Sequence, residues 1–314
     1  MPREAEPETQ RPRHPNDLPP PAQQLALAAW DLVAAGAEVA FHARAPGAVR
    51  DGARFAREHP HSARDVHPTA DGPALDAFWP GKPDPCPLLI FCHGGGWAHY
   101  RKELYTAVAA RLVPRGWAVV LPEYTAYPRA IYRQMVDEVA AAVAWSLDHL
   151  ADLGVDPNRV YLSGHSAGAH LTALVTLDPR HLAAHGHRPD ALAGYVGLAG
   201  VYDLVAAQQQ WQHQRPATEL LNRVFDGLDN LPAASPVTYV RPNAPPTLLV
   251  HGERDPYLPP DQARSLHTAL RGVGVPCELR VYPDVAHSDL ILDFISGHDD
   301  RLWSELAAFA KTHP

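Results

Sequence analysis

This sequence contains few cysteines and no long run of charges of one sign. Only three cysteines occur among 314 residues, an odd and sparse set that does not indicate a disulfide framework. The 27 basic and 35 acidic side chains give a formal net charge of −8, and no long run of either sign occurs. Because nothing in this distribution attracts a polyanion as a whole, the sequence predicts neither a nucleic acid nor a membrane as a partner.

Long hydrophobic runs are missing as well. The first 21 residues contain seven prolines and few apolar residues, which is typical of a disordered tail and unlike a signal peptide. The most apolar early segment, residues 25–41, carries Asp31 and Glu38 and is too short to cross a bilayer. It predicts an amphipathic helix within an N-terminal helical extension over residues 22–60. We therefore expect a cytoplasmic protein.

Short apolar runs that alternate with helical stretches dominate the rest of the chain. Apolar spacing typical of helices covers residues 135–150 and 266–273. This alternation predicts an α/β fold, with one catalytic domain over residues 61–314 whose mostly parallel sheet has helices on both faces. A less regular, glutamine-rich insertion at about residues 205–235 predicts a small cap. The predicted buried strands lie at residues 87–92, 117–121, 160–163, 195–198, 247–251 and 278–282.

A serine motif follows one of the predicted strands. Residues 160–168 read VYLSGHSAG, so Ser166 stands in Gly-x-Ser-x-Gly directly after an apolar strand and before a helical run. This context is typical of a nucleophile elbow, whereas the bare motif often occurs by chance. The helix that follows points its N-terminus at the serine. The backbone N–H of Ala167 is therefore a candidate donor to a negatively charged oxygen.

A glycine-rich string ends another predicted strand. Residues 93–97 read HGGGW, and three successive glycines let the backbone approach a substrate closely. The string matches the oxyanion-hole loop of lipase-like and esterase-like hydrolases, although a flexible glycine turn is the alternative when it stands alone. We interpret His93 as a residue that braces the loop rather than as a base.

A serine nucleophile needs a histidine base and an acid that orients the base. His287 follows the last predicted strand, and Asp255 follows the strand before it, in the chain order Ser, acid, His that this class of enzyme uses. With 19 histidines in the chain, position alone is weak support for His287. Glu253 and Asp284 remain the rival acids.

Taken together, five segments resemble the α/β-hydrolase superfamily, and most closely its branch of small carboxylesterases, BD-FAE-type feruloyl esterases and kynurenine formamidases. The resemblance covers residues 74–314. It implies the α/β-hydrolase fold, a triad of Ser166, Asp255 and His287, and oxyanion donors at Gly94, Gly95 and Ala167. One departure is that residues 123–126 read EYTA where hormone-sensitive-lipase-like esterases usually have Tyr-Arg. The five segments are HGGGW, DPNRVYLSGHSAGAHL, GVYDL, HGERDPYLP and YPDVAH.

The predicted function is a cofactor-independent serine hydrolase that cleaves small carboxylic esters through an acyl-enzyme intermediate. An arylformamidase that acts on an N-formyl amide is the alternative enzyme, and a non-catalytic binding protein on the same scaffold is the alternative outside enzymes. Candidate substrate-binding residues are Trp97, His165 and Trp211. No metal is expected, because the histidines at 181, 185 and 187 are more typical of a solvated surface turn than of a ligand set. The oligomeric state is not predicted.

Overall fold

The computed structural model describes residues 45–82 and 84–314, together with the isolated positions 28, 32, 36 and 43. The tail expected at residues 1–21 lies outside the described residues, as does most of the helix expected at residues 25–41. Of the predicted extension at 22–60, the continuous part that is described is the helix α1 (Pro46–Glu58). In the described part of the chain, no helix is long and apolar enough to cross a membrane.

One eight-stranded sheet organises the molecule, in the order β1-β2-β4-β3-β5-β6-β7-β8. β2 pairs antiparallel with β1 and β4, and all other pairs are parallel. The prediction of a mostly parallel sheet is therefore confirmed. The strands are β1 (Ser62–Val66), β2 (Leu75–Phe78), β3 (Cys86–Cys92), β4 (Ala118–Pro122), β5 (Val155–His165), β6 (Gly194–Leu198), β7 (Thr247–Gly252) and β8 (Cys277–Tyr282).

Helices cover both faces of this sheet. The first face carries α1 with α2 (Thr106–Leu112), α10 (Asp289–Ser296) and α11 (Arg301–Thr312). The second face carries α3 (Tyr132–Asp148), α4 (Ala167–Leu177), the short α5 (Pro179–Ala183) and α9 (Asp261–Gly272). Short 3-10 turns complete the connections, at Lys102–Tyr105, Val113–Arg115, Pro189–Ala191, Leu228–Asn230 and Pro236–Tyr239.

Burial on both faces explains why the central strands appear as continuous apolar runs. Alternate side chains of a strand point to opposite faces, so in β3 Leu88 and Ile90 join one core while Leu89 and Phe91 join the other. All four side chains are almost completely buried. Each contributes about 1.5–3 kcal/mol relative to exposure, which favours the sheet over any solvated alternative.

The antiparallel hairpin of β1 and β2 is absent from the predicted strands. β1 reads SARDV, and β2 places Asp76 in the core with no exposed surface. The Asp76 carboxylate is compensated by Lys102, whose Nζ lies 2.8 Å from its Oδ1. Because a buried charge needs such a partner, the strand becomes recognisable only once the distant lysine is in place.

The insertion between β6 and β7 is more regular than expected. It folds into α6 (Leu204–Trp211), α7 (Arg215–Val224) and α8 (Leu231–Ala234), joined by short turns. The apolar side of α7 is buried through Leu220, Leu221 and Val224. These helices form the predicted cap, and they reach the carboxyl ends of the central strands, where the chain has its polar loops.

Candidate active site

The serine predicted as the nucleophile occupies a strained turn between β5 and α4. Ser166 has φ 54° and ψ −118°, a backbone conformation that residues other than glycine rarely adopt. Its N–H donates to the Leu198 carbonyl at 2.9 Å, which holds the turn against β6. Gly168 is required two residues later, because a Cβ there would lie 2.3 Å from the carbonyl oxygens of Cys92 and His93. The turn therefore presents the hydroxyl above the sheet.

A hydrogen-bonded chain joins three residues from three different loops. The Ser166 Oγ lies 2.9 Å from His287 Nε2, and His287 Nδ1 lies 2.6 Å from Asp255 Oδ2. Because Nδ1 faces a carboxylate, it carries the ring proton and donates it there. The lone pair of Nε2 is then directed at the serine hydroxyl, which is the arrangement that a general base requires.

The Asp255 carboxylate is completely buried and well supplied with donors. Its Oδ1 accepts from the N–H groups of Tyr257 and Leu258, each at 2.9 Å. Burial alone would raise the pKa of Asp255, but hydrogen bonds from His251 and His287 hold it well below its usual range. The group therefore stays ionised at neutral pH and faces His287 as an anion.

The rival acids point elsewhere. The Glu253 carboxylate, which is half-exposed, lies 2.9 Å from Arg264 Nη2. Asp284 is exposed, and its Oδ1 lies 3.1 Å from Arg301 Nη1. Both acidic side chains are therefore engaged by surface arginines, while Asp255 is the carboxylate beside His287.

The glycine-rich loop after β3 closes one side of the serine. Gly95 and Gly96 border the cavity together with Ala167, the first residue of α4. Gly95 has φ 120°, and a Cβ on it would lie 2.0 Å from the His99 carbonyl oxygen, so only glycine fits there. Gly94 packs against the serine turn, where a Cβ would lie 2.9 Å from His165 Nδ1 and 3.3 Å from the Ser166 Cβ. Gly96 was not singled out by the sequence, although it belongs to the same string.

His93 braces this loop from below. Its Nδ1 lies 2.7 Å from the Gly94 carbonyl oxygen, and its Nε2 lies 2.6 Å from Glu123 Oε1. The ring also stacks on Tyr124 with 4.3 Å between the centroids. Burial opposes the ionisation of Glu123, but His93 and two backbone N–H groups outweigh it and lower its pKa. The sequence EYTA therefore supplies an acid that holds the loop.

A cavity of about 140 Å³ opens beside Ser166, and its walls are mainly apolar and aromatic. The predicted substrate-binding residues all border it. Trp97 is buried and donates from Nε1 to His170 Nδ1 at 3.1 Å. Trp211 donates from Nε1 to the Tyr257 carbonyl at 3.0 Å, which ties the cap to the loop that carries the acid. Tyr257 itself was not predicted, and its ring meets His287 edge-on at 5.6 Å between centroids.

His165 borders the same cavity but is bound on both sides of its ring. Its Nε2 lies 3.1 Å from the His287 carbonyl oxygen, and its Nδ1 lies 3.3 Å from the Tyr105 hydroxyl. Burial, together with the neighbouring His287, lowers the pKa of His165 to about 3. The ring is therefore neutral, with its proton on Nε2.

Two larger cavities, of about 270 and 470 Å³, occur in the described part of the chain. Neither of them is lined by Ser166, Asp255 or His287.

The histidines with partial metal-ligand spacing face three separate carboxylates. His185 lies 2.8 Å from Asp137, and His187 lies 3.0 Å from Asp148. His181 is directed at Asp178, at 3.6 Å. Within residues 45–82 and 84–314, no group of three or more histidine, cysteine or acidic side chains is arranged to hold a metal ion.

Comparison with known families adds to this geometry. A family model described as BD-FAE matches residues 75–270, which is more than half of the chain. The chain belongs to the BD-FAE family. The matched range begins with β2 and includes Ser166 and Asp255, and it ends before His287. The family that the motifs predicted is thereby confirmed.

The BD-FAE chain is similar to esterases from several organisms. Esterase LipQ from Mycobacterium tuberculosis is 35% identical over 196 residues, which cover 60% of this chain and 46% of the relative. Isoprenylcysteine alpha-carbonyl methylesterase ICME from Arabidopsis thaliana is 26% identical over 248 residues, which cover 74% of this chain and 58% of the relative. The BD-FAE chain thus spans about half the length of these curated relatives.

Solved structures share the architecture. Esterase B from Lactobacillus Rhamnosis superposes on the BD-FAE chain with a TM-score of 0.71 at 20% sequence identity. The superposition covers 93% of this chain and 97% of that one. This likeness confirms the predicted α/β-hydrolase fold.

Proposed function

We propose that the protein is a serine hydrolase that cleaves small carboxylic esters through an acyl-enzyme intermediate. The observation that carries the proposal is the hydrogen-bonded chain Ser166–His287–Asp255 at the wall of an apolar cavity. Membership of the BD-FAE family supports it, as does the similarity to LipQ and ICME, both of which are esterases.

The first half of the reaction makes the acyl-enzyme. The Ser166 Oγ attacks the ester carbonyl carbon while its proton passes to His287 Nε2. Asp255 holds the ring in the correct tautomer and stabilises the imidazolium that forms. When the tetrahedral intermediate collapses, the C–O bond to the alcohol breaks and the alcohol leaves with the proton from Nε2.

Backbone N–H groups stabilise the oxyanion of the intermediate. We assign this role to Gly95 and Ala167, which both border the cavity beside Ser166. Gly94 stays the third predicted donor, and it lies next to the nucleophile, since a Cβ on it would come within 3.3 Å of the Ser166 Cβ. Ala167 suits the role because the N–H groups in the first turn of a helix have no partner within it. Water then attacks the acyl group, with His287 as base, and releases the acid.

An uncharged ester suits the cavity better than the alternative substrate. Among the described residues that line it, none is an aspartate, glutamate, lysine or arginine. An N-formylkynurenine-type substrate carries an amino-acid carboxylate and an ammonium group, and burying such charges without partners is unfavourable. A pure binding role would leave the strained Ser166 backbone without a purpose.

Labelling by a fluorophosphonate together with turnover of p-nitrophenyl butyrate tests the proposal. Wild-type protein is expected to become labelled and to hydrolyse the ester, and Ser166→Ala is expected to lose both, on the order of a millionfold in rate. Ser288→Ala is the matched control, because this serine borders the same cavity and follows the base. N-formylkynurenine and a feruloyl ester complete the panel. A labelled Ser166→Ala protein, or a wild type inert in every assay, contradicts the proposal.

A further inference from the structure

A second buried histidine stands behind the acid of the site. His251 lies in β7, one residue before the strand ends, and has no exposed surface. Its Nε2 lies 3.2 Å from Asp255 Oδ2, the same oxygen that accepts from His287. It also lies 3.0 Å from the Leu258 carbonyl oxygen. The sequence offers no reason to choose this histidine, since it is one of 19.

We propose that His251 is a positioning residue of the hydrolase, which acts by donating its Nε2–H to the pair formed by the Asp255 carboxylate and the Leu258 carbonyl. The inference rests on the proposed function, because it assigns His251 a part in that reaction. It adds His251 to the group of Ser166, His287 and Asp255, through the 3.2 Å contact between His251 Nε2 and Asp255 Oδ2.

The tautomer of His251 follows from its neighbours. Both atoms near Nε2 are acceptors, a carbonyl oxygen and a carboxylate oxygen, so Nε2 must carry the proton. The carbonyl is the nearer acceptor and takes the hydrogen bond at 3.0 Å, while the carboxylate oxygen lies 3.2 Å from the same nitrogen. The other ring nitrogen, Nδ1, is buried and has no hydrogen-bond partner among the described residues, which fits a neutral ring.

This single N–H holds the acid in two ways. It lies 3.2 Å from Oδ2, and this contact and the hydrogen bond from His287 both lower the pKa of Asp255 and keep the carboxylate ionised. It also fixes the loop that supplies the other donors, since Leu258 accepts from His251 through its carbonyl and donates to Oδ1 through its N–H. Without His251 the carboxylate would lose the contact at Oδ2, and the loop that carries its amide donors would lose one restraint, so its orientation toward His287 would be less well fixed.

Two substitutions of similar shape separate the hydrogen bond from the packing. His251→Met fills the space with an unbranched apolar chain and removes the donor. His251→Gln places an amide nitrogen near the former position of Nε2 and keeps the donor. We expect His251→Met to lower kcat by about 10- to 100-fold, the effect of losing a hydrogen bond to a charged group, with KM changed less than about threefold. His251→Gln should restore most of the loss.

A double-mutant cycle with Asp255→Asn tests whether the effect passes through the carboxylate. If His251 acts by positioning Asp255, adding His251→Met to Asp255→Asn should slow fluorophosphonate labelling by less than about threefold. If His251→Met slowed labelling by the same factor in the wild-type and the Asp255→Asn background, His251 would have a structural role alone. That result would overturn the inference. Wild-type kcat in His251→Met, or equal kcat in the Met and Gln variants, would also overturn it.

The outcome for wild-type protein distinguishes this inference from the proposed function. A wild type that neither becomes labelled nor hydrolyses any ester contradicts the proposed function itself. If the wild type is active but the His251 variants give one of the contradicting results named above, only the role of His251 is contradicted. Free energies of unfolding from urea titrations, measured for both single variants, show whether each remains folded under the assay conditions.

Discussion

His165 Nε2 lies 3.1 Å from the backbone carbonyl oxygen of His287, although 122 positions separate the two residues in the chain. The residue before the proposed nucleophile therefore holds the main chain of the proposed base. The two rings lie 5.0 Å apart between centroids. Since His165 is buried and neutral, this bond keeps the loop after β8 close to the serine without adding a charge that would compete with the imidazolium.

Replacing His165 should therefore impair catalysis rather than binding. In His165→Leu the His287 carbonyl loses its donor, and we expect kcat to fall about tenfold or more while KM changes little, because a small displacement of the base is enough to disturb proton transfer. Steady-state kinetics with p-nitrophenyl butyrate measure both constants. The sequence predicts that His165 binds substrate, and a variant that raised KM with kcat unchanged would support that reading instead.

The identity of the acid is tested by two amide substitutions. Asp255→Asn should lower kcat by about ten-thousandfold, because an amide favours the wrong tautomer of the base. Glu253→Gln is the matched control in the same loop, and it should change kcat less than about threefold, since its carboxylate contacts Arg264. The opposite ranking of the two variants would move the acid to Glu253.

Much of the fold can be predicted from local sequence because its central strands are buried on both faces. The run CPLLIFC that forms β3 needs no distant information to be recognised as a strand. β1 and β2 escape prediction because their short sequences are mixed in polarity, and the buried Asp76 carboxylate pairs with Lys102, which lies in another part of the chain. The cap was expected as an irregular insertion. Its helices are defined largely by the apolar side chains that they bury.

The candidate site divides along similar lines. Ser166 is recognisable because its glycines and flanking elements are adjacent in sequence, and Asp255 and His287 because they follow strands in order. His251 and Tyr257 are not, since their roles depend on how residues 255–258 fold back over the end of β7. The cytoplasmic location and the N-terminal extension rest on sequence alone and stay predictions.

Acid should destabilise the protein through two buried histidines. Desolvation lowers the pKa of His165 to about 3 and that of His170 to about 4, whereas both should titrate near 6.5 when unfolded. Below pH 6.5 the unfolded chain then binds protons that the native state does not, so stability falls as pH falls toward 4. Each histidine costs about 1.4 kcal/mol per pH unit within this window.

Urea unfolding at intervals between pH 6.0 and 4.5 measures this effect, and comparison with a histidine variant removes the contribution of carboxylates that titrate near the lower limit. His170→Gln should be less stable at neutral pH, because Trp97 loses the acceptor of its indole N–H. Its stability should nevertheless depend less steeply on pH, by about one proton. Identical slopes for the variant and the wild type would show that His170 is protonated in the folded state.

The cavity beside Ser166 limits the size of the acyl group that the substrate can carry. The cavity beside Ser166 has a volume of about 140 Å³, close to the roughly 150 Å³ that holds one benzene molecule. It is bordered on the cap side by Trp211 and Ala217. An acyl group of a few carbons fits this space, and each buried methylene contributes up to about 0.8 kcal/mol until the chain outgrows it. Specificity constants should therefore rise from acetyl to butyryl p-nitrophenyl esters and fall at octanoyl and palmitoyl.

A substitution in the cap turns this preference into a sharper test. Ala217→Leu adds three carbons to the cavity wall and should lower kcat/KM for the butyryl ester at least tenfold while the acetyl ester is affected much less, because overpacking excludes the longer chain first. Ala206→Leu is the matched control, since this alanine is exposed on the neighbouring helix α6. A wild-type optimum at octanoyl or longer, or equal effects of the two substitutions, would mean that the acyl chain lies outside this cavity.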